Sequence, residues 1–483
     1  MASLLALRED LKELRQTFRS GATRSVKWRK AQLQSLHRLL TEQEDQIFAV
    51  LHEDLGKHPV ESFRDEVGVL LKSLKYSLTH VEKWMAPKRH QLPLAFFPAT
   101  AEVLPEPLGL VLIFSAWNFP LALSLEPLIG TISAGCTAVI KPSEHAPATS
   151  SFLARAIPKY MDTKAIKVIE GGIPVAEQLL QEKWDKIFFT GSIQVGRIIM
   201  SAAAKHLTPV TLELGGTCPA VVDSGLSSSD REMAAKRISS AKWGCCNGQA
   251  CLAVDYILVE EKLASNLIDL LKQSIKRNYG ENLAESKGIA KIVNKHHFKR
   301  LCSLLEDPGV SASVVHGGSV DEEKLFIEPT ILLDPPLSSE LMTEEIFGPL
   351  LPIVTLKKIQ ESIEFINSRP KPLAIYVFTK DEKLKRRVLS ETSSGSVTFN
   401  DVLLHYLADK LPFGGVGESG IGSYHGKFSF DTFTHEKAVL RRHFFMEPQA
   451  RYPPWNDFKL KFIRLMYRFD YLGVLLLFLG LKR

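Results

Sequence analysis

The sequence predicts an α/β protein made of two doubly wound, Rossmann-type domains with a small β arm, and three observations predict it. The first is length: 483 residues exceed what one hydrophobic core ordinarily holds, so two or three domains are expected. The second is an alternation of continuous apolar strands and helices that begins at Gly109, and the third is another such alternation after Cys251. Strands that are apolar at every position belong to parallel sheets covered on both faces.

Taken in order, the chain opens with helices. Leu4, Leu7, Leu11, Leu14 and Phe18 recur at helical spacing, Gly21 interrupts, and a second amphipathic run extends through Leu33, Leu36, Leu40, Ile47 and Leu51 to Gly56. A further helix is expected to end near Trp84 and Met85, completing an all-helical leader that packs on a later sheet. Prolines at 87, 93, 98, 105 and 107 then give 87–107 the character of an extended arm or hairpin.

From Gly109, GLVLIF, AVIK, AIKVIEG and KIFFTGS read as strands, with helices over GTISAGCTA and SSFLARAIPKYM and another opening in FFTGSIQVGRIIM. After Cys251, DYILVEE, ASVVHGG, LFIEPTILL, LPIVTL, LAIYVFT and SGSVTFN read as strands. The helices of this part are KLASNLIDLLKQSIKR, IAKIVNKHHFKRLCSLLED, IQESIEFINS and LKRRVLSET. The stretch 411–430 is glycine-dense without being low-complexity, a pattern that suits close backbone approach to another surface. HEKAVLRRHFF then reads as a late strand, with either the proline-flanked arm or a second subunit as its partner. The expected division is 1–86 with 106–213, 214–429, an arm from 87–105 with 430–450, and a tail from 451 to 483.

Composition narrows the class. With 45% hydrophobic and 24% charged residues the chain is a folded globular protein. Its six cysteines (136, 218, 245, 246, 251 and 302) have no framework spacing, and MASLLALREDLKELRQ reads as a charged amphipathic helix instead of a secretory leader. A reducing, cytoplasmic location is expected. Cys245, Cys246 and Cys251 lack a matching second pair at zinc spacing, so no metal is expected.

The formal net charge of +6 is concentrated at one end. From Arg451 to Arg483 there are seven basic and two acidic residues, a net of +5, which leaves about +1 for the rest. No basic stripe or recognition motif appears in the body, so nucleic acid is not an expected partner. In the tail, Lys461, Arg464 and Arg468 share one helical face, Phe462, Leu465, Met466 and Phe469 share the other, and YLGVLLLFLGL follows. Such a pattern suits an anionic lipid surface, or an apolar contact with a partner subunit. Eleven apolar residues are too few to span a bilayer, which needs about 20.

Two junctions carry chemistry. VTLELGG places Glu213 where an apolar strand breaks into a glycine turn, and NGQACLAVDYILV places Cys251 in a tight turn before another strand. A lone cysteine is more often a small buried hydrophobe, and a lone glutamate a solvated charge. Here Gly248 permits a close turn, Gln249 offers amide hydrogen bonds, and Gly215 and Gly216 free the chain beside Glu213. A thiol to attack a carbonyl and a carboxylate to activate water are the pair that covalent aldehyde oxidation requires.

Other junctions suit a dinucleotide. Ligands of parallel sheets bind at the carboxyl ends of the strands, which here carry Trp117 and Asn118, Lys141, and Gly191 and Ser192. The turn from Gly191 to Gly196 opens a helix, whose N-terminus favours a phosphate, although its glycine spacing differs from the dinucleotide fingerprint. Lys141 and Glu144 beyond the preceding strand suit a ribose or its 2′-phosphate, or else a plain capped helix start. Glu345 and Phe347 lie on a loop stiffened by Gly348 and Pro349, placed to hold a ribose hydroxyl and a flat ring.

The motifs WNFP, LELGG, GQAC, EEIFGP and LPFGG occur in the order and approximate spacing of the aldehyde dehydrogenases, and the chain resembles that family's class 3 over nearly its whole length. KWGCCNGQAC, DKIFFTGS, NKHH and ARYPPWN make it most similar to the plant branch. The resemblance implies an aldehyde dehydrogenase-like fold with an oligomerisation arm. It implies Cys251 as the nucleophile that passes through a thiohemiacetal and a thioester, Asn118 and the Cys251 N–H as an oxyanion hole, and Glu213 as the carboxylate that activates water. Lys141 and Glu144 are implied at the adenosine end of the cofactor, Gly191, Ser192 and Gly196 at the pyrophosphate, and Glu345 and Phe347 at the nicotinamide ribose and ring. NAD, with NADP also accepted, a small aldehyde substrate and a homodimer follow from the same resemblance, as does attachment of the apolar tail to the cytosolic face of a membrane such as the endoplasmic reticulum. The sequence departs from many relatives at Gly244, where an aromatic is common, at Thr217, where a lysine is common, and at Val254, where a proline is common.

Two other functions share these features. A CoA-acylating enzyme would pass the acyl group to a thiol and leave Glu213 idle, and a membrane-attached dinucleotide-binding protein would bind without turnover. Trp117 and Phe119 suggest an apolar entrance, and with it medium or long aliphatic or aromatic aldehydes; a role in aldehyde detoxification is what the family resemblance implies.

Overall fold

Three strands of the first half, Leu110–Phe114, Thr137–Lys141 and Lys186–Thr190, are buried at every position. Their apolar side chains point to both faces of a sheet that is covered on both sides. The computed structural model describes residues 2–445 and 447–481, the side chains of 2–6 excepted. The chain divides into two compact units, Met1–Val81 with Pro107–Phe433 and Glu82–Glu106 with Thr434–Arg483.

The larger unit contains two main sheets. The first has six strands in the order Gly420–Ile421, Val210–Glu213, Lys186–Thr190, Leu110–Phe114, Thr137–Lys141 and Ile166–Val168, all parallel except the first. The second has seven, in the order Val314–His316, Thr330–Leu333, Leu350–Leu356, Tyr256–Glu260, Pro219–Val222, Ala374–Phe378 and Ser396–Phe399, again with only its first strand antiparallel. Both alternations expected from the sequence are therefore present. Leu7, Leu11 and Leu14 of the helix Ala2–Arg19 pack with Leu110, Leu112, Phe114, Ile187 and Leu212, so the leader covers the first sheet. Each such leucine contributes about 1.5–3 kcal/mol by leaving water. The side chain of Leu4, which begins that stripe, lies outside the described ones.

Several elements differ from expectation. The second amphipathic run is two helices, Val26–Glu42 and Glu44–Leu55. The small-residue helix is Ala122–Ala134, earlier than expected, because Gly135 adopts φ 84° and turns its N–H back onto Thr131 and Ile132. Ile289–Val293 is not helical: Lys291 N–H bonds to Leu55 and Ile292 N–H to Leu325, and the helix Lys295–Glu306 begins only after Asn294 caps the His297 N–H. Pro329 divides the expected strand LFIEPTILL into Phe326–Ile327 and Thr330–Leu333, since proline donates no ladder bond.

In the smaller unit, Lys88–His90, Thr100–Pro107 and Thr434–Arg441 form a three-stranded sheet in that order. The late strand thus pairs with the proline-flanked arm. The tail forms two short helices, Asp457–Tyr467 and Tyr471–Phe478, whose Phe458 and Phe462 rings meet Phe478 at 5.6 and 5.7 Å. The helical face expected to reach Phe469 stops at Tyr467, because Phe469 has φ 53°. No helix of the described residues is long and apolar enough to cross a membrane. Lys482 and Arg483, counted in the tail's charge, lie outside the described residues.

Candidate active site

Glu213 ends the strand Val210–Glu213, and the late glycine-dense segment completes its environment. Gly420 pairs with Glu213 in the antiparallel register, and the Leu214 N–H donates to the Ser419 carbonyl at 3.0 Å. A Cβ on Gly420 would stand 2.3 Å from the Leu212 carbonyl oxygen, so the close backbone approach expected for this stretch is real and needs glycine. The Glu213 carboxylate is 2% exposed, and neither oxygen has a hydrogen-bond partner of normal geometry among the described residues. Burial pushes its pKa up to about 7, and the neighbouring Cys251 thiol opposes that rise only in part.

The loop leading to Cys251 is strained. Cys246, Asn247 and Gly248 have φ of 49°, 50° and 79°, a left-handed run that costs roughly 1 kcal/mol or more at each non-glycine position. Gln249 holds it in place. Its Nε2 donates to the Cys246 and Lys291 carbonyls at 3.0 and 2.9 Å, and its Oε1 accepts from the Val293 N–H at 3.1 Å. Gly248 is required because a Cβ there would stand 2.2 Å from the Gly348 carbonyl oxygen, in the loop that carries Glu345. Burial and the facing Glu213 carboxylate hold the Cys251 thiol well above its usual pKa.

Cys251 and Glu213 open onto one cavity of about 420 Å³. Phe119, Leu123, Leu403, Leu404, Tyr406 and Tyr424 give it an apolar wall. Phe119 therefore lines the cavity. Trp117 is not among the lining residues; its ring packs edge-on against Phe347 at 5.3 Å and against His297 at 4.9 Å. Asn118 is 2% exposed, and its Oδ1 has no partner among the described residues.

The residues expected at a dinucleotide lie at or just beyond the carboxyl ends of strands of the first sheet, or on a loop that contacts them. Strands run outward in opposite directions from Leu110–Phe114 and Lys186–Thr190, which are neighbours, so the topological switch point lies between them. Ser192 follows one and caps the helix Ile193–Ala204, whose first N–H groups have no intrahelical acceptor. A Cβ on Gly196 would stand 2.5 Å from Leu214, so helix and strand end pack closely there. Lys141 ends the adjacent strand, 4% exposed, and donates to Glu144 at 2.5 Å. Against partial burial, which raises it, that hydrogen bond holds the Glu144 carboxyl below its ordinary range. Glu345 Oε1 accepts from the Gly216 N–H at 3.1 Å, and burial beside Asp255 and Glu213 keeps its carboxyl well above the usual value. A paired lysine, a helix N-terminus with uncapped N–H groups in its first turn, a buried carboxyl and the Trp117 and Phe347 rings are groups of the kinds that the phosphates, riboses and flat rings of a dinucleotide need.

Sequence reasoning missed several neighbours. His145 and His297 lie 6.1 Å apart, ring to ring, beside Trp117, and burial lowers the His297 pKa to about 4. The pair's location shows only in the fold, since 152 residues separate them. Lys57, Glu61 and Glu66, in the helical leader, are all buried. The single signal they gave was density of charge next to Pro59.

Comparison with known proteins agrees with this geometry. The profile of the aldehyde dehydrogenase family matches residues 7–439. The chain is 60% identical over 475 residues to aldehyde dehydrogenase family 3 member F1 of Arabidopsis thaliana, covering 98% of each chain. It is 44% identical to family 3 member A2 of Mus musculus over 453 residues, 93% of this chain and 92% of that one. Among solved structures, the substrate-bound state of Staphylococcus aureus AldH superposes with a TM-score of 0.92 at 41% identity, covering 95% of this chain and 99% of that one. An NADP complex of glyceraldehyde-3-phosphate dehydrogenase GapN from Methanocaldococcus jannaschii superposes at 0.81 with 25% identity, covering 91% and 94%. The chain belongs to the aldehyde dehydrogenase family, in its class 3 branch, and is an NAD(P)-dependent oxidoreductase of aldehydes.

Proposed function

We propose that Cys251 is the nucleophile, Glu213 the water-activating base and Asn118 an oxyanion donor in the oxidation of medium or long aliphatic or aromatic aldehydes to carboxylic acids. The carrying observation is that the Cys251 thiol and the Glu213 carboxylate open onto one apolar-walled cavity. The sulfur, once deprotonated, attacks the carbonyl carbon and gives a tetrahedral oxyanion, which the Asn118 amide and the Cys251 N–H hold. The bound dinucleotide supplies the acceptor for the hydride lost at that carbon. Glu213, with a pKa of about 7, then takes a proton from water as the oxygen attacks the Cys251 thioester, and the C–S bond breaks to give the carboxylic acid and the Cys251 thiolate.

The same reading places the adenosine end of the cofactor at Lys141 and Glu144, the pyrophosphate at Gly191, Ser192 and Gly196, and the nicotinamide ribose and ring at Glu345 and Phe347. Glu144 already occupies the Lys141 ammonium, which favours a ribose hydroxyl over a 2′-phosphate and so NAD over NADP. A panel of straight-chain and aromatic aldehydes run with each dinucleotide tests this. Rising kcat/KM from two to ten carbons, higher with NAD, is the expected result, and a preference for two-carbon aldehydes rejects it.

Residues 1–86 with 106–213 serve dinucleotide binding, 214–429 complete the catalytic half, and 87–105 with 430–450 serve subunit contact in a homodimer. Exposed Leu440, Phe444 and Phe445 on and after the edge strand support that contact. The tail serves peripheral attachment of a cytoplasmic enzyme to anionic lipid at a cytosolic membrane face. Exposed Leu472, Leu475, Phe478 and Leu479 beside Lys459, Lys461, Arg464 and Arg468 support it.

A further inference from the structure

A lysine and a glutamate with no exposed surface lie behind Asn118. Lys57 Nζ donates to Glu66 Oε1 at 2.7 Å and to the Asn118 carbonyl at 2.7 Å, and it sits 4.2 Å from the centre of the Phe119 ring. The other Glu66 oxygen accepts the Leu121 and Ala122 N–H groups at 2.9 and 3.1 Å, at the start of the helix Ala122–Ala134. The turn 118–122 is thus gripped at both ends by one ion pair. Five residues before Glu66, Glu61 Oε1 accepts the Cys246 N–H at 2.6 Å, and the Cys246 thiol in turn reaches the Asn118 carbonyl at 3.5 Å.

The segment that makes these contacts is itself shaped for them. Phe63–Val67 is a π-helical turn that closes on Gly68, where a Cβ would stand 2.9 Å from the Phe63 carbonyl oxygen. Single π turns of this kind recur at functional sites because they re-aim side chains. Burial disfavours the Lys57 cation, yet Glu66, Cys246 and Glu61 together hold its pKa above the ordinary lysine value, so the charge persists. A buried ion pair is a poor source of stability, since apolar residues of equal volume often do as well. What the pair does supply is direction. The Asn118 amide oxygen has no partner of its own among the described residues, so the placement of that side chain depends on its backbone.

We propose that the buried Lys57–Glu66 pair, with Glu61, is a positioning device that fixes the turn carrying Asn118 relative to the loop carrying Cys251. This rests on the reading of Asn118 as the oxyanion donor. Neither Lys57 nor Glu66 touches substrate, and both act through Asn118.

The test is the double variant K57M/E66Q, which removes both charges and keeps the volume, compared with N118A and with the triple variant. Loss of an aligned oxyanion donor lowers kcat about 100-fold, so K57M/E66Q and N118A should each fall by roughly that factor. Because both changes act on one donor, the triple variant should fall no more than about 3-fold further. The dissociation constant for NAD and the rate of Cys251 alkylation by iodoacetamide, mapped by peptide mass spectrometry, should stay within about 3-fold, since neither step uses an oxyanion hole. Unchanged kcat in K57M/E66Q, multiplied losses in the triple variant, or an alkylation rate that falls with kcat overturns the proposal. Unchanged kcat in N118A overturns the Asn118 reading instead, and that variant alone reveals it. Should K57M/E66Q not fold, E66Q carries the same test: a roughly 10-fold loss absent from the N118A background is expected, and full activity overturns it.

Discussion

Glu345 Oε1 stands 2.7 Å from the point that a Cβ on Gly215 would occupy, and Gly215 has φ 75°. The glycine two residues beyond Glu213 therefore makes room for a carboxylate from the other sheet's loop. Gly215→Ala should displace Glu345 and raise the KM for NAD about 10-fold, with the KM for aldehyde nearly unchanged, beyond a strain cost of about 1–2 kcal/mol. Steady-state kinetics with each substrate varied in turn will check it.

Cys251→Ser replaces a thiol by a far weaker nucleophile on a loop already locked by Gln249. Oxidation should fall at least about 1,000-fold while NAD binding by calorimetry is retained. Retained turnover would remove Cys251 from the mechanism.

Glu213 is poised near neutrality, so kcat should rise with pH through about 7 as the carboxyl ionises. Glu213→Gln should lose that acid limb, lower kcat roughly 100-fold above it, and leave an acylated Cys251 visible by intact mass. A variant that keeps the limb and accumulates no thioester speaks against the assignment.

The same carboxyl is a stability liability. Its folded pKa, about 7, exceeds the ordinary 4.5, so the protonated form is favoured by folding and that advantage is lost as pH rises through 7. Glu213→Gln should then be more stable than the parent at pH 8, by up to about 3 kcal/mol, and no more stable at pH 4.5. Urea unfolding at the two pH values gives the answer.

Removal of the chain after Trp455 should abolish sedimentation with vesicles that contain anionic lipid and leave the oligomeric state unchanged. Salt should weaken the binding of the full chain. If truncation instead dissociates subunits and vesicle binding was absent from the start, the tail is a docking element.

Much of this was legible because strands buried on both faces must be apolar throughout. GLVLIF and KIFFT could be read for that reason. The helix Ser228–Trp243 was not, since it buries Ala234, Ala235, Ile238 and Ala241 in place of a stripe of large residues. Its capping box, Ser227 with Asp230, was the one available signal. Ile173–Gln181 likewise went unread behind two glycines. Cys251 and Glu213 announced themselves through adjacent glycines, whereas Lys57 meets Asn118 across 61 residues, and no local pattern encodes a pairing of that span. In the run KHPVESFRDE, Lys57, Glu61 and Glu66 are buried among exposed positions, so no solvent-facing or apolar periodicity marks them.

The edge beside Glu213 is closed by Gly420 and Ile421, more than 200 residues downstream. During synthesis the acid therefore waits on an open edge until almost the entire polypeptide has left the ribosome, and edges of that sort recruit foreign strands. Chaperone occupancy of the nascent chain should therefore fall only after Gly420 and Ile421 have emerged.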